Sequence, residues 1–414
     1  MMRRRGFKLG AAVMVIAAIF AARGPARSLA AGTAETKPPM LVVPQAAPTL
    51  APNVMKAHVW AGAYGNYFNG PFTTVTICQP GTTNCERISG ILIDTGSSGL
   101  RIFGQANHLA LPTETAANGN PVAECMPFGT LSTWGRIAYA DVRLGGEPVI
   151  SNMPFQLINP NYKAMAAVCK SGPPLAQSPA EVGYNGILGV GLWGPDCGGV
   201  CATLGSQNPS MYFQCGGSRC AVTPVAESQQ TQNPVALLPV DNNGVVLKLP
   251  AIPFMGASTV TGRLVLGINT RPNNRMAGAS VYKTDGAGNI GTTYDNVAMD
   301  GFLDSGSNAL FFDNGSIPQC DPALAAGFYC PSGLLLLGAI NSGRLGSASG
   351  EVFFNVANAL GLAATGNKAF YDVGGTFGGN FFDFGLPFFF GRNVYTGIDG
   401  KLNSGVSMGP FFAY

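Results

Sequence analysis

The chain has 414 residues, 46% of them apolar and only 11% charged. Its 24 Lys and Arg against 21 Asp and Glu give a net charge of +3, yet six of the bases and none of the acids fall in residues 1–30, so the remainder holds 18 bases against 21 acids, a net charge of −3. No basic patch argues for nucleic acid, and two histidines in the whole chain, His58 and His108, argue against a Ser-His-Asp triad or a His-rich metal site and read as surface or turn residues.

In chain order, Arg3, Arg4, Arg5 and Lys8 precede an apolar run over residues 9–22, the form of a secretory signal peptide. The run is too short to span a bilayer. Ser28-Leu29-Ala30 offers small residues for cleavage, which gives 1–30 as the signal peptide. Residues 31–53, rich in Pro and Ala, read as an extended spacer. Beyond them, 57 Gly and 30 Pro punctuate short apolar stretches, which favours many strands joined by turns over long helices. The length left suffices for two lobes, 54–230 and 231–414.

Residues 72–77 and 87–93 alternate or run apolar as strands do, with Gln79-Pro80-Gly81 opening the turn between them. Residues 134–144 and 149–158, separated by Gly145-Gly146, give another hairpin. Residues 226–233, rich in Gln and Ser, read as a connector. Further strands are expected at 244–249, 262–267, 350–355 and 384–398, and a short helix at 356–362.

Ten cysteines behind a signal peptide point to disulfides in an oxidising compartment. Cys78 with Cys85, Cys215 with Cys220, and Cys320 with Cys330 are natural local pairs. Cys125, Cys169, Cys197 and Cys201 are left unassigned by spacing alone. A four-thiolate zinc site from Cys197, Cys201, Cys215 and Cys220 is the competing reading, with disulfides favoured.

One phrase occurs twice: Asp94-Thr95-Gly96-Ser97 and Asp304-Ser305-Gly306-Ser307, each ending an apolar run. By chance, two such phrases would arise in fewer than about one chain in a few hundred. A carboxylate where a buried strand breaks into a turn can be hydrogen-bonded by the turn's N–H groups and hydroxyls. Two facing carboxylates would share one proton, because like charges that close cannot both ionise cheaply. Each phrase is followed by an apolar strand running into a glycine, Gly189 and Gly385, where a backbone can approach closely.

In these features the chain resembles the pepsin-type aspartic proteases. The resemblance covers residues 54–414 and rests on the two Asp phrases, on Asn185-Gly186-Ile187-Leu188-Gly189, and on Phe384-Gly385 through Tyr395. It implies an all-β, bilobal pepsin-like aspartic protease fold with a cleft between two pseudo-equivalent lobes, in a bacterial secreted member. It also implies that Asp94 and Asp304 form the catalytic dyad. Gly96 and Gly306 would let the backbone approach the carboxyls, Ser97 and Ser307 would hydrogen-bond them, and Thr95 and Ser305 would cross-link the two turns. No metal or cofactor is required.

Two departures concern the substrate side. The family's flap Tyr-Gly pair is matched here by Phe128-Gly129, and the aromatic that usually ends the first signature by Arg101. Trp134, further along the same hairpin, could supply an indole donor in place of the missing hydroxyl. Two functions fit: an exported, monomeric endopeptidase, periplasmic or extracellular, that cleaves polypeptide with a two-Asp, water-activating mechanism, and a catalytically silent envelope module that binds peptides or partner proteins.

Overall fold

The computed structural model describes residues 50–402 and 408–414; the expected signal peptide and most of the spacer lie outside the described residues. Asn53, the last spacer position, is buried and donates to Leu266 O at 2.9 Å. The described chain is all-β, with helices of at most six residues. None is long and apolar enough to cross a membrane.

The first half supplies β1 (Val54–Val59), β2 (Pro71–Cys78), β3 (Cys85–Asp94), β4 (Ser98–Phe103), β5 (Val122–Pro127), β6 (Ser132–Arg143), β7 (Ile150–Ile158), β8 (Gly186–Val190), β9 (Tyr212–Gly216) and β10 (Arg219–Val222). Both expected hairpins form, as β2–β3 and β6–β7. β8 lies between β3, to which it is parallel, and β4, to which it is antiparallel. All five of its residues are buried, and its sequence Gly-Ile-Leu-Gly-Val carries no polar side chain, as a strand covered on both faces requires.

The second half supplies β11 (Gly244–Lys248), β12 (Val260–Leu266), β13 (Val281–Lys283), β14 (Ile290–Tyr294), β15 (Val297–Leu303), β16 (Leu310–Phe312), β17 (Leu335–Ser342), β18 (Ser349–Val356), β19 (Gly374–Gly375), β20 (Phe381–Phe384), β21 (Asn393–Gly397) and β22 (Phe411–Ala413). β20 lies parallel to β15 and antiparallel to β16, repeating the β3-β8-β4 arrangement. Strands from both halves join one 15-stranded sheet, in which β1 lies between β2 and β12, while β14 to β20 form a seven-stranded sheet without β13, β21 or β22. The largest apolar cluster likewise draws on both halves, from Ile91 and Leu188 to Phe384 and Phe412.

Two expectations are corrected and a third is refined. The strand expected over 384–398 is broken: β20 ends at Phe384, Leu386–Phe389 forms a 3-10 turn, and pairing resumes in β21, because Pro387 has no N–H for a ladder. The short helix starts later, at Ala359, where the Asn358 side chain accepts from Gly361 N–H as an N-cap, and Val356 belongs to β18. The connector is exposed at its start, over residues 226–228, and buried at its end. Gln230, Thr231 and Asn233 are fully buried, and the two amides donate to Gly198 O, Val225 O, Gly191 O and Trp193 O, so the segment's polarity satisfies interior backbone.

The cysteines form five disulfides, the three local pairs together with Cys125–Cys169 and Cys197–Cys201. The four thiolates of the zinc reading are thereby occupied.

Candidate active site

Both Asp phrases sit at the open ends of buried strands. Asp94 closes β3 opposite Gly189 of β8, and Asp304 follows β15 and donates its N–H to Phe384 O. The expected approach of each Asp turn to its own glycine strand is therefore present in both halves. A Cβ on Gly189 would stand 2.8 Å from Gly99 N, and one on Gly385 would overlap Ala309 O. These strands need glycine to pass behind the turns.

The turns then hold the carboxyls. Gly96 and Ser97 donate their N–H groups to Asp94 Oδ1 at 2.8 and 3.0 Å, and the Ser97 hydroxyl donates to Oδ2. Gly306 N–H donates to Asp304 Oδ1 at 2.7 Å and the Ser307 hydroxyl to Oδ2 at 2.9 Å. The turns are stitched reciprocally: Thr95 Oγ1 accepts from Ser305 N–H at 2.9 Å and donates to Leu303 O, while Ser305 Oγ accepts from Thr95 N–H at 3.2 Å and donates to Ile93 O. A Cβ on Gly96 would overlap the Asp304 carboxyl, and one on Gly306 would stand 2.9 Å from the Asp94 carboxyl carbon. That same Cβ position on Gly306 lies 2.9 Å from Asp94 Oδ1 and 3.1 Å from Asp304 Oδ1, so the two carboxyls face each other across the glycine.

Both groups are fully buried. Burial pushes both above the usual carboxylate range; the charge of Asp94 and then that of Asp383 push Asp304 higher still, while Ser97, Asp304 and the Gly96 and Ser97 N–H groups oppose the rise at Asp94. Two carboxyls that close give up their protons in separate steps, so the pair passes through a state in which they share one proton.

The residues expected to meet substrate are placed differently. Arg101, Phe128 and Trp134 are 0%, 1% and 0% exposed. The Trp134 indole N–H is taken by Tyr162 O at 2.7 Å and its ring packs against Phe213, so it offers no donor to a cleft; opposite Cys125 in the β5–β6 register, it faces the segment held by the Cys125–Cys169 disulfide. Arg101 donates to Glu124 at 2.7 Å, Asp196 at 2.6 Å and Ser98 O at 2.9 Å, with its guanidinium carbon 5.6 Å from the centroid of the Phe128 ring. The two departures thus form one buried contact. Gly129 is exposed at the β5–β6 tip.

Sequence reading missed this ion cluster. Burial opposes ionisation of Glu124, but Arg101 holds it below its usual range; burial and the Glu124 charge push Asp196 well above its own. Tyr212 donates to Asp196 and Thr231 to Glu124. The cluster borders a cavity of about 660 Å³ beside the Asp94 turn, lined by Ser97, Met126, Trp193 and Met211 from the first half and Ala287 and Ile398 from the second. Also missed was Asp383, a fully buried acid on β20, whose one signal was an acid set among phenylalanines. No group of three or more His, Cys, Asp or Glu among the described residues could hold a metal ion.

No curated protein matches the chain. Among solved structures, the aspartic proteinase from Irpex lacteus aligns over 87% of this chain and 96% of its own, at 16% identity and a TM-score of 0.45. Residues 49–414 match the DUF3443 family, described as a protein of unknown function, and the chain belongs to that family.

Proposed function

We propose that this protein is an exported aspartic endopeptidase whose two pseudo-equivalent lobes, 54–230 and 231–414, meet at the dyad and flank a cleft for extended polypeptide. The observation that carries this reading is the pair of buried Asp94 and Asp304 carboxyls brought together around Gly306 by turns that are stitched to each other. Ionised Asp94 takes a proton from water as the water oxygen adds to the scissile carbonyl carbon, and Asp304 gives its proton to the carbonyl oxygen. When the resulting diol collapses, the proton on Asp94 passes to the departing nitrogen and Asp304 recovers its own. Gly96, Ser97, Gly306 and Ser307 orient the carboxyls, and the five disulfides suit an oxidising compartment. The protein acts as a monomer.

The test incubates the protein with a denatured protein substrate across acidic to neutral pH, beside an Asp94→Asn control. Cleavage lost in the control supports the assignment, and cleavage that survives the substitution overturns it. A second reading, a silent peptide-binding module, is favoured by the full burial of the dyad and by the Arg101–Phe128 contact in place of a hydroxyl-bearing flap pair. Saturable peptide binding without cleavage at any pH would select it.

A further inference from the structure

β20 reads Phe381-Phe382-Asp383-Phe384, an acid in the middle strand of a three-strand unit. Phe382 and Phe384 stack with centroids 4.2 Å apart, and Phe382 stacks on Phe312 at 4.8 Å. These rings occupy one face of the strand, and alternation turns Asp383 to the other. In register Asp383 stands opposite Phe302 of β15 and Phe311 of β16. Asp304, two residues beyond Phe302, projects from that same face. The Asp383 carboxyl is fully buried with no close hydrogen-bond partner on either oxygen. The Ser307 hydroxyl faces it, and that hydroxyl donates to Asp304.

The first half shows what the position holds when it is only structural. There β8 sets Ile187 opposite Leu92 and Arg101, where β20 sets Asp383 opposite Phe302 and Phe311. An acid at an apolar core position avoids a large penalty only by keeping its proton. Burial holds Asp383 well above the usual carboxylate range, the Asp94 charge adds to the rise, and Asp383 in turn raises Asp304. The other titratable groups turned toward the dyad are the phenols of Tyr67 and Tyr184. On neighbouring strands, Asp300 of β15 pairs with Arg344, and Asp313, just past β16, accepts from the N–H groups of Phe377, Gly378 and Gly379.

We propose that Asp383 is a positioning residue for the dyad, a third buried carboxyl on the strand beside Asp304 that shares a proton pool with it and keeps the Asp94/Asp304 pair singly protonated toward neutral pH. The proposal rests on the reading of Asp94 and Asp304 as an acid–base pair. Three carboxyls in one dry patch carry more than one negative charge only at high cost, so their ionisations are spread apart. Remove the third, and the pair loses its proton at lower pH.

The experiment compares the full chain with Asp383→Asn and with Asp383→Ile, the latter copying Ile187. On a denatured protein substrate, the alkaline limb of kcat/KM should move down by about one pH unit, a roughly tenfold loss at a fixed pH on that limb, with KM unchanged on the acidic side. In parallel, carbon-13 NMR of Asp-labelled protein follows the carboxyls without needing activity. In the wild type Asp383 and Asp304 should each titrate in two coupled steps, and in either variant the Asp304 midpoint should fall. An unmoved limb with an unmoved Asp304 midpoint overturns the proposal. Independent single-step titrations in the wild type overturn it even where neither variant folds. Coupled titration without cleavage supports the third carboxyl while removing the protease reading; cleavage without coupling does the reverse.

Discussion

The Thr95 hydroxyl accepts the N–H of Ser305 while the Ser305 hydroxyl accepts the N–H of Thr95, so each Asp turn is held by a side chain from the other half of the chain. The same hydroxyls donate to Leu303 O and Ile93 O. Four buried backbone groups thus depend on two small side chains.

Thr95→Val and Ser305→Ala should therefore each cost about 1–3 kcal/mol, since each strands a buried N–H and a buried carbonyl. Because both act on one network, the double variant should lose less than the sum of the singles. Chemical unfolding of the three proteins measures this, and strict additivity would show that the turns are held independently.

Arg101 supports a second prediction. Its guanidinium is fully buried between Glu124 and Asp196. Arg101→Met would strand Glu124 as an unpaired buried charge, at about 3–5 kcal/mol. Arg101→Met combined with Glu124→Gln should recover part of that loss. Denaturant midpoints decide between this coupling and a simple packing defect, which the second substitution would not relieve.

Much of the centre was legible because its chemistry is local. Asp94, Thr95, Gly96 and Ser97 are consecutive, and so are Asp304 to Ser307, so a turn and its carboxylate ligands are written in one phrase. Trp134 was not legible in the same way. Its acceptor, Tyr162 O, lies 28 residues on, and no pattern along β6 distinguishes an indole turned to that loop from one turned to a cleft. Arg101 was read as a change at the substrate surface because its partners lie 23 and 95 residues away. The register that brings Ile187 and Asp383 to equivalent places exists only once the strands have paired, so no local pattern ties Asp383 to the dyad.

The Cys125–Cys169 disulfide closes a loop with a sequence separation of 44 and ties β5 to the helix at Ala167–Lys170. Replacing both cysteines with Ala should cost about 4 kcal/mol if the bridge acts by restricting the unfolded chain. The Cys215–Cys220 bridge, with a separation of 5, should cost less when removed. Thermal unfolding of the two double variants gives the order, and a larger loss at the short loop would count against that account.

The buried acids make stability depend on pH in a stated direction. Asp304 and Asp383 are both raised by burial well above 3.8, and Asp372 is pushed by burial to about 6. For such groups the native state holds protons that the unfolded chain gives up, so their contribution is complete below about 3.8 and is lost as pH rises toward their folded values. Glu124, held low by Arg101, acts oppositely, and its contribution is lost as pH falls through its folded value. Between pH 4 and 7 the raised acids should dominate and stability should decline. Asp383→Asn should flatten that decline, because an amide loses nothing by staying neutral. Unfolding midpoints across this range measure the slope, and a variant whose slope equals the wild type's would show that Asp383 ionises as freely in the fold as outside it.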